Sequence, residues 1–182
     1  SQHTTGEANA ISRRVRGLVI LEKLGAHQVL KETLKRPEKP LADAAALALC
    51  REGLVDGLQR TVSIARSSQV AVQIEAVDAL GLSQQKEALK ALLPFLSPTL
   101  DRNLVFSAIR ALKRLNDPRA IRPLVAFWED APAFLVHGVV DALRALSSHQ
   151  GGVSRKEWVA WIGANQPPTA PSFERYERSA VE

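Results

Sequence analysis

The sequence predicts an all-α fold, a right-handed α-solenoid of about five helical hairpins, and three observations carry that prediction. The first is composition: 46% of the 182 residues are hydrophobic but only 5% are aromatic, and Leu and Ala together supply 50 positions. Straight-chain and small aliphatic residues favour helix, whereas strands draw on β-branched and aromatic ones. The second is a repeat. Glu75-Ala76-Val77-Asp78-Ala79-Leu80 returns 32 residues later as Ser107-Ala108-Ile109-Arg110-Ala111-Leu112, and 31 residues after that as Gly138-Val139-Val140-Asp141-Ala142-Leu143. The third is punctuation: Pro, Gly and Asp fall between apolar stripes rather than within them. A period of this length means one supersecondary unit stacked on its neighbours.

Taken in chain order, Ile11–Leu24, stopped by Gly25, and Ala26–Lys35 read as a first helical pair that caps the stack, with a break at Pro37 and Pro40. Ala44–Leu49 followed by Leu54, Val55, Leu58 and Val62 reads as a second, more degenerate pair. The third begins with the Glu75–Leu80 motif and continues through Ala88, Leu89, Leu92, Leu93 and Leu96, an i, i+3, i+4, i+7 spacing that places one apolar stripe on a single helix. The same stripe recurs at an offset of 32 as Ala120, Ile121, Leu124, Val125 and Trp128. Between the two stripes, Asn116-Asp117-Pro118 puts a capping Asp before a proline at the first helical position. Ser97-Pro98 and Asp130-Ala131-Pro132 divide one unit from the next. The last pair is Phe134–Leu146 with Arg155–Gly163, joined through Gly151 and Gly152. Residues 1–164 thus form the solenoid, with the clearest repeats at 70–152. Residues 165–182, opening with Asn165-Gln166-Pro167-Pro168, lack an apolar period and read as a disordered or extended tail.

The run Ala108-Ile109-Arg110-Ala111-Leu112, then Asp117-Pro118-Arg119-Ala120-Ile121-Arg122-Pro123-Leu124, resembles a HEAT repeat, specifically the short bacterial HEAT-like type also found in bilin lyases. The resemblance implies an armadillo-like superhelix and a binding surface, not a particular chemistry. It also implies an Arg in the first helix of each repeat, at positions held here by Gln73, Val105 and Val136. Lys156-Glu157-Trp158-Val159-Ala160-Trp161 is similar to the tryptophan-rich closing helix of some bacterial HEAT-like proteins.

Net charge is +5, unevenly placed: residues 1–40 and 101–164 are basic, while 41–100 and 165–182 are each close to neutral. Arg102, Arg110, Lys113, Arg114, Arg119 and Arg122 put six positive charges into 21 residues, opposed only by Asp117. Arg110, Lys113 and Arg114 share the outer face of a first helix; Arg119 and Arg122 share a face of the following second helix. Second helices line the inner surface of two-helix solenoids, so Arg119, Arg122 and neighbouring Phe127 are the leading candidate partner contacts. Arg110, Lys113 and Arg114 are the second set. Trp158 and Trp161, three apart on one helix, serve either to close the terminal repeat or as an interface hot spot.

No catalytic, cofactor or metal site is legible. His3, His27, His137 and His149 are scattered, and His137 lies in an apolar helix where packing or a hydrogen bond is the expected role. Cys50 ends an Ala/Leu helix with no base in sequence reach. Glu129-Asp130 marks a turn. Every stretch long enough to span a membrane, about 20 residues, contains charge. The absent initiator Met fits a trimmed or a signal-processed chain, cytoplasmic or exported. The expectation is a non-catalytic protein-interaction or scaffold module, without cofactor, whose partner is another protein with an acidic surface. Two alternatives follow from the resemblance, a bilin-lyase-like or lyase-assisting protein and a nucleic-acid-binding HEAT-like protein. The second lacks the aromatic-interleaved basic stripe that nucleic-acid binding uses.

Overall fold

The computed structural model describes residues 26–170 together with Gly17, Leu18, Ile20, Leu21 and Leu24. Most of the helix expected over 11–24, and residues 171–182, lie outside the described residues. Among those described there are α-helices and 3-10 turns and no strand. The chain forms two compact units, residues 1–83 and 84–182.

In the first unit, α1 (His27–Leu34), α2 (Lys39–Arg51), α3 (Leu58–Ile64) and α4 (Val70–Leu82) follow one another, with a 3-10 turn at Val55–Gly57 leading into α3. Pro40 sits in the first turn of α2, where its missing N–H has no helical partner to lose. It therefore starts a helix rather than extending the break expected from Pro37 to Pro40. α2 buries Leu41, Ala42, Ala45, Ala46, Leu47, Ala48, Leu49 and Cys50, so it is apolar nearly all round and central to the unit, packed on α1, α3 and α4. Its alanines let neighbours approach closely. Gly57 is the tightest such point: a Cβ there would meet the carbonyl oxygen of Ala46 and come within 2.8 Å of the Cys50 nitrogen. Leu18 and Leu30 complete this core beside Leu41, Ala45 and Leu49.

The second unit contains α5 (Ala88–Leu92), α6 (Arg102–Leu115), α7 (Ile121–Asp130), α8 (Ala133–Ser147) and α9 (Arg155–Asn165). α6 packs on α5 and α8, and α7 packs on α8 and α9. The Asp101 side chain caps α6 by accepting from the Asn103 and Leu104 amides at 2.8 and 3.2 Å. α6 ends at Asn116 in the left-handed conformation, φ 54°. The repeat positions behave alike in both units. Ala76, Val77, Ala79 and Leu80, then Ala108, Ile109, Ala111 and Leu112, then Val139, Val140, Ala142 and Leu143 are all at most 2% exposed.

Three local differences from the sequence expectation have plain causes. The stripe Leu89–Leu96 is not one helix: α5 stops at Leu92 and a 3-10 turn covers Leu93–Phe95, because Pro94 has no N–H to continue the α ladder. The Asp117-Pro118 start also opens as a 3-10 turn, Pro118–Ala120, before α7. His137 is exposed, not packed, because α8 buries the stripe Leu135, Val139, Val140, Ala142 and Leu143 and leaves position 137 outside it.

Candidate functional site

The sequence-selected basic residues divide between two parts of the second unit. Arg110, Lys113 and Arg114 belong to α6. Lys113 reaches Asp141 on α8 at 2.6 Å, an ion pair linking two first helices across solvent, with Asp141 66% exposed. Arg110 is half-buried and Arg114 exposed. Nearby, Arg102 stacks over the exposed Phe134 ring at 6.0 Å.

Arg119 and Arg122 lie in the turn and helix that follow. Asp117 accepts from the Arg119 amide at 3.0 Å, capping the Pro118–Ala120 turn. The Arg119 guanidinium folds back onto the same carboxylate, Nη2 to Oδ2 2.5 Å and Nε to Oδ1 3.0 Å. Asp117 is only 8% exposed. Burial acts to raise its pKa, but the hydrogen bonds and charge of Arg119 outweigh it and hold the carboxyl below its usual range. Arg119 thus has a structural partner. Its Nη2 also donates to the Lys86 carbonyl at 3.4 Å.

Arg122 faces a different group. The chain leaves α9 through Gln166 in the left-handed conformation, φ 43°, with the Gln166 amide donating to the Ile162 carbonyl at 2.8 Å. Residues 166–170 then run without regular structure across the second helices. Arg122 Nε donates to the Pro167 carbonyl at 3.2 Å, and Pro167 is buried. Ala170 is 1% exposed and sits in a cleft of about 200 Å³ lined by Lys86, Glu87, Leu89, Lys90, Leu93 and Arg119. Pro168 borders a second cleft of about 540 Å³ beside Gln84, Lys86, Asn116 and Asp117. α5, the 118–120 turn and α7 therefore present one surface, basic in balance through Lys86, Lys90, Arg119 and Arg122, and part of it is covered by the 166–170 segment.

Phe127 is 6% exposed on the buried side of α7, so it fills the core and is not a surface contact. Trp158 is fully buried. Its indole Nε1 donates to the Gly152 carbonyl at 3.1 Å, and its ring meets His149 edge-on at 5.0 Å. Trp161 is half-buried and stacks on His149 at 5.6 Å. Arg144 Nε holds the Gly151 carbonyl at 2.8 Å, and Glu157 accepts from the Gly152 amide at 3.1 Å. This cluster fastens the Gly151-Gly152 loop to α9. Arg155 fastens α9 to α7 through the Val125 carbonyl at 3.1 Å and Glu129 at 2.7 Å.

The residues that sequence reasoning missed are Lys86, Lys90, Pro167 and Ala170. Lys86 and Lys90 carried a usable signal, two cations four apart at the start of a second helix. Pro167 and Ala170 carried none. Cys50 is buried; desolvation pushes its thiol pKa up, with hydrogen bonds from Thr61 and Ser83 and the Arg51 charge acting the other way. That is the opposite of an activated thiolate. Among the described residues no three His, Cys, Asp or Glu side chains gather as a metal would need. No helix among them is long and apolar enough to cross a membrane.

Residues 58–144 match the family model for HEAT repeats. That stretch, a little under half of the chain, is HEAT-like repeat, running from the start of α3 into α8. No curated protein matches the chain, and the narrower likeness to bilin-lyase repeats therefore rests on the sequence pattern alone.

Proposed function

We propose that this HEAT-like repeat protein is a non-catalytic protein-interaction module whose second unit binds a partner protein on the surface formed by α5, the 118–120 turn and α7. One observation carries the reading: Lys86, Lys90 and Arg119 line a cleft with the single carboxylate Glu87, and Arg122 on α7 donates to the Pro167 carbonyl of the segment that reaches it, while the first helices α6 and α8 are tied to each other by Lys113 and Asp141. A basic surface with apolar recesses suits an acidic protein segment, where charge steers encounter and shape fixes register. Repeat solenoids use extended helical surfaces in this way.

The test is charge reversal of Lys86, Lys90 and Arg122 together, each to Glu, in the full chain. Proteins retained by the wild type in affinity purification are compared with those retained by the variant. The expected outcome is loss of a defined subset with an unchanged helical spectrum. An identical set of retained proteins refutes the reading.

A further inference from the structure

The chain already carries something seated on this surface, and its chemistry describes what the surface accepts. The segment Gln166-Pro167-Pro168-Thr169-Ala170 has no large apolar side chain and no charge. Yet Pro167 is buried and Ala170 is 1% exposed. Proline removes the N–H that an extended segment would otherwise leave unsatisfied on a helical surface, so at positions 167 and 168 only carbonyls need partners. The Pro167 carbonyl has one in Arg122 Nε at 3.2 Å. Proline also fixes φ, so less chain entropy is lost when the segment docks.

We propose that the α5–α7 surface is a receptor for an extended, proline-containing segment of a partner protein that carries acidic residues beyond the proline that meets Arg122. Gln166–Ala170 is the resident occupant in cis. Ala170 lines this cleft together with Leu89, Leu93 and Arg119. The acidic extension is favoured because Lys86 and Lys90 line the same cleft. The proposal rests on the interaction reading above and adds the ligand class and the competition. A tethered occupant acts at millimolar effective concentration, and the apparent affinity of an outside segment falls by the fraction of time the site is occupied.

The test uses the full chain and a fluorescein-labelled peptide with the sequence of residues 165–170 followed by two glutamates, read by fluorescence anisotropy. Ala170→Arg puts a cation beside a cleft where Lys86, Lys90 and Arg119 outnumber Glu87, so repulsion weakens the seat of the resident segment. The expected result is weak binding by the wild type and binding about tenfold tighter by Ala170→Arg. Arg122→Leu added to Ala170→Arg should remove most of that gain. A peptide ending in two lysines should bind Ala170→Arg at least about tenfold more weakly than the glutamate peptide. Pro167→Gly, which loosens the same segment without adding bulk, should raise peptide affinity in the same direction and stands in if Ala170→Arg does not fold. Equal peptide affinity for the wild type and the folded tail variants overturns the proposal. So does tight binding that ignores Arg122. If peptide binding fails while the triple charge reversal still strips partners, the ligand class is wrong and the interaction surface stands. If both fail, the surface itself is refuted.

Discussion

Replacing Asp117 separates two contributions that the structure places on one carboxylate. Asp117 caps the Pro118–Ala120 turn through the Arg119 amide and also pairs with the Arg119 guanidinium. Asn is as good a cap as Asp but cannot hold the ion pair, whereas Ala removes both. Loss of a cap costs about 1 kcal/mol. The ion pair is partly solvated, with the Arg119 side chain 28% exposed, so its share is about 1 kcal/mol after screening. Asp117→Ala should therefore cost about 2 kcal/mol and Asp117→Asn about 1 kcal/mol. Each kcal/mol lowers Tm by about 2–4 °C in a chain of this size. Thermal melts at pH 7 followed by circular dichroism read both numbers. The pH dependence has a definite sign. The folded pKa lies below the unfolded one, so the ionic stabilisation is complete above the ordinary Asp value of about 3.9 and is lost as pH falls through the folded value. The gap between wild type and Asp117→Asn should therefore close in strong acid. Equal melting of the two at pH 7, or a gap that widens in acid, refutes the assignment.

Three further outcomes follow from packing. Gly57→Ala should destabilise the first unit by about 3 kcal/mol or more, because the new methyl meets the Ala46 carbonyl and the Cys50 amide, which are backbone and cannot turn aside; urea denaturation measures it. Cys50 is fully buried with its thiol pKa raised by desolvation, so it should resist a thiol-reactive disulfide reagent in the native protein and react stoichiometrically in urea; fast native labelling would contradict its burial. Trp158→Ala should cost about 3–5 kcal/mol by emptying a fully buried site and freeing the Gly152 carbonyl; a loss below about 1 kcal/mol would mean that the indole does not close the last pair.

What the sequence made legible is what repeats. Ala79, Ala111 and Ala142 recur because each places a small side chain where helices approach closely, and the same demand in successive units leaves a period that a single sequence displays. Asp117 and Pro118 were legible for a similar reason: capping chemistry is local. The resident segment was not. Pro167 meets Arg122 across 45 positions, and neither residue carries a pattern that points to the other. Phe127 reads as a contact by its place on a second helix, yet the α7 stripe turns it inward. The roles of Trp158 and His149 depend on a loop, Gly151-Gly152, whose path no periodicity reports. Gly151 is required there because a Cβ would come within 2.9 Å of both rings.

The pairing of Arg119 with Asp117 also changes which arginine can report on binding. The two were equivalent in sequence, three apart and on one face. In the structure Arg119, 28% exposed, is bound to a carboxylate 8% exposed, so reversing its charge sets two anions side by side at a partly solvated site. Arg119→Glu should then lower Tm by more than Asp117→Asn does, since it adds repulsion to the lost pair. Arg122 donates to the uncharged Pro167 carbonyl, and Arg122→Glu should lower Tm by less than Arg119→Glu does. A binding defect in Arg119→Glu is therefore confounded with a stability defect more than one in Arg122→Glu. Melting the two variants side by side decides the matter. If Arg122→Glu proves the more destabilising, Arg122 is a structural anchor for the tail, and the basic surface offered to a partner reduces to Lys86 and Lys90.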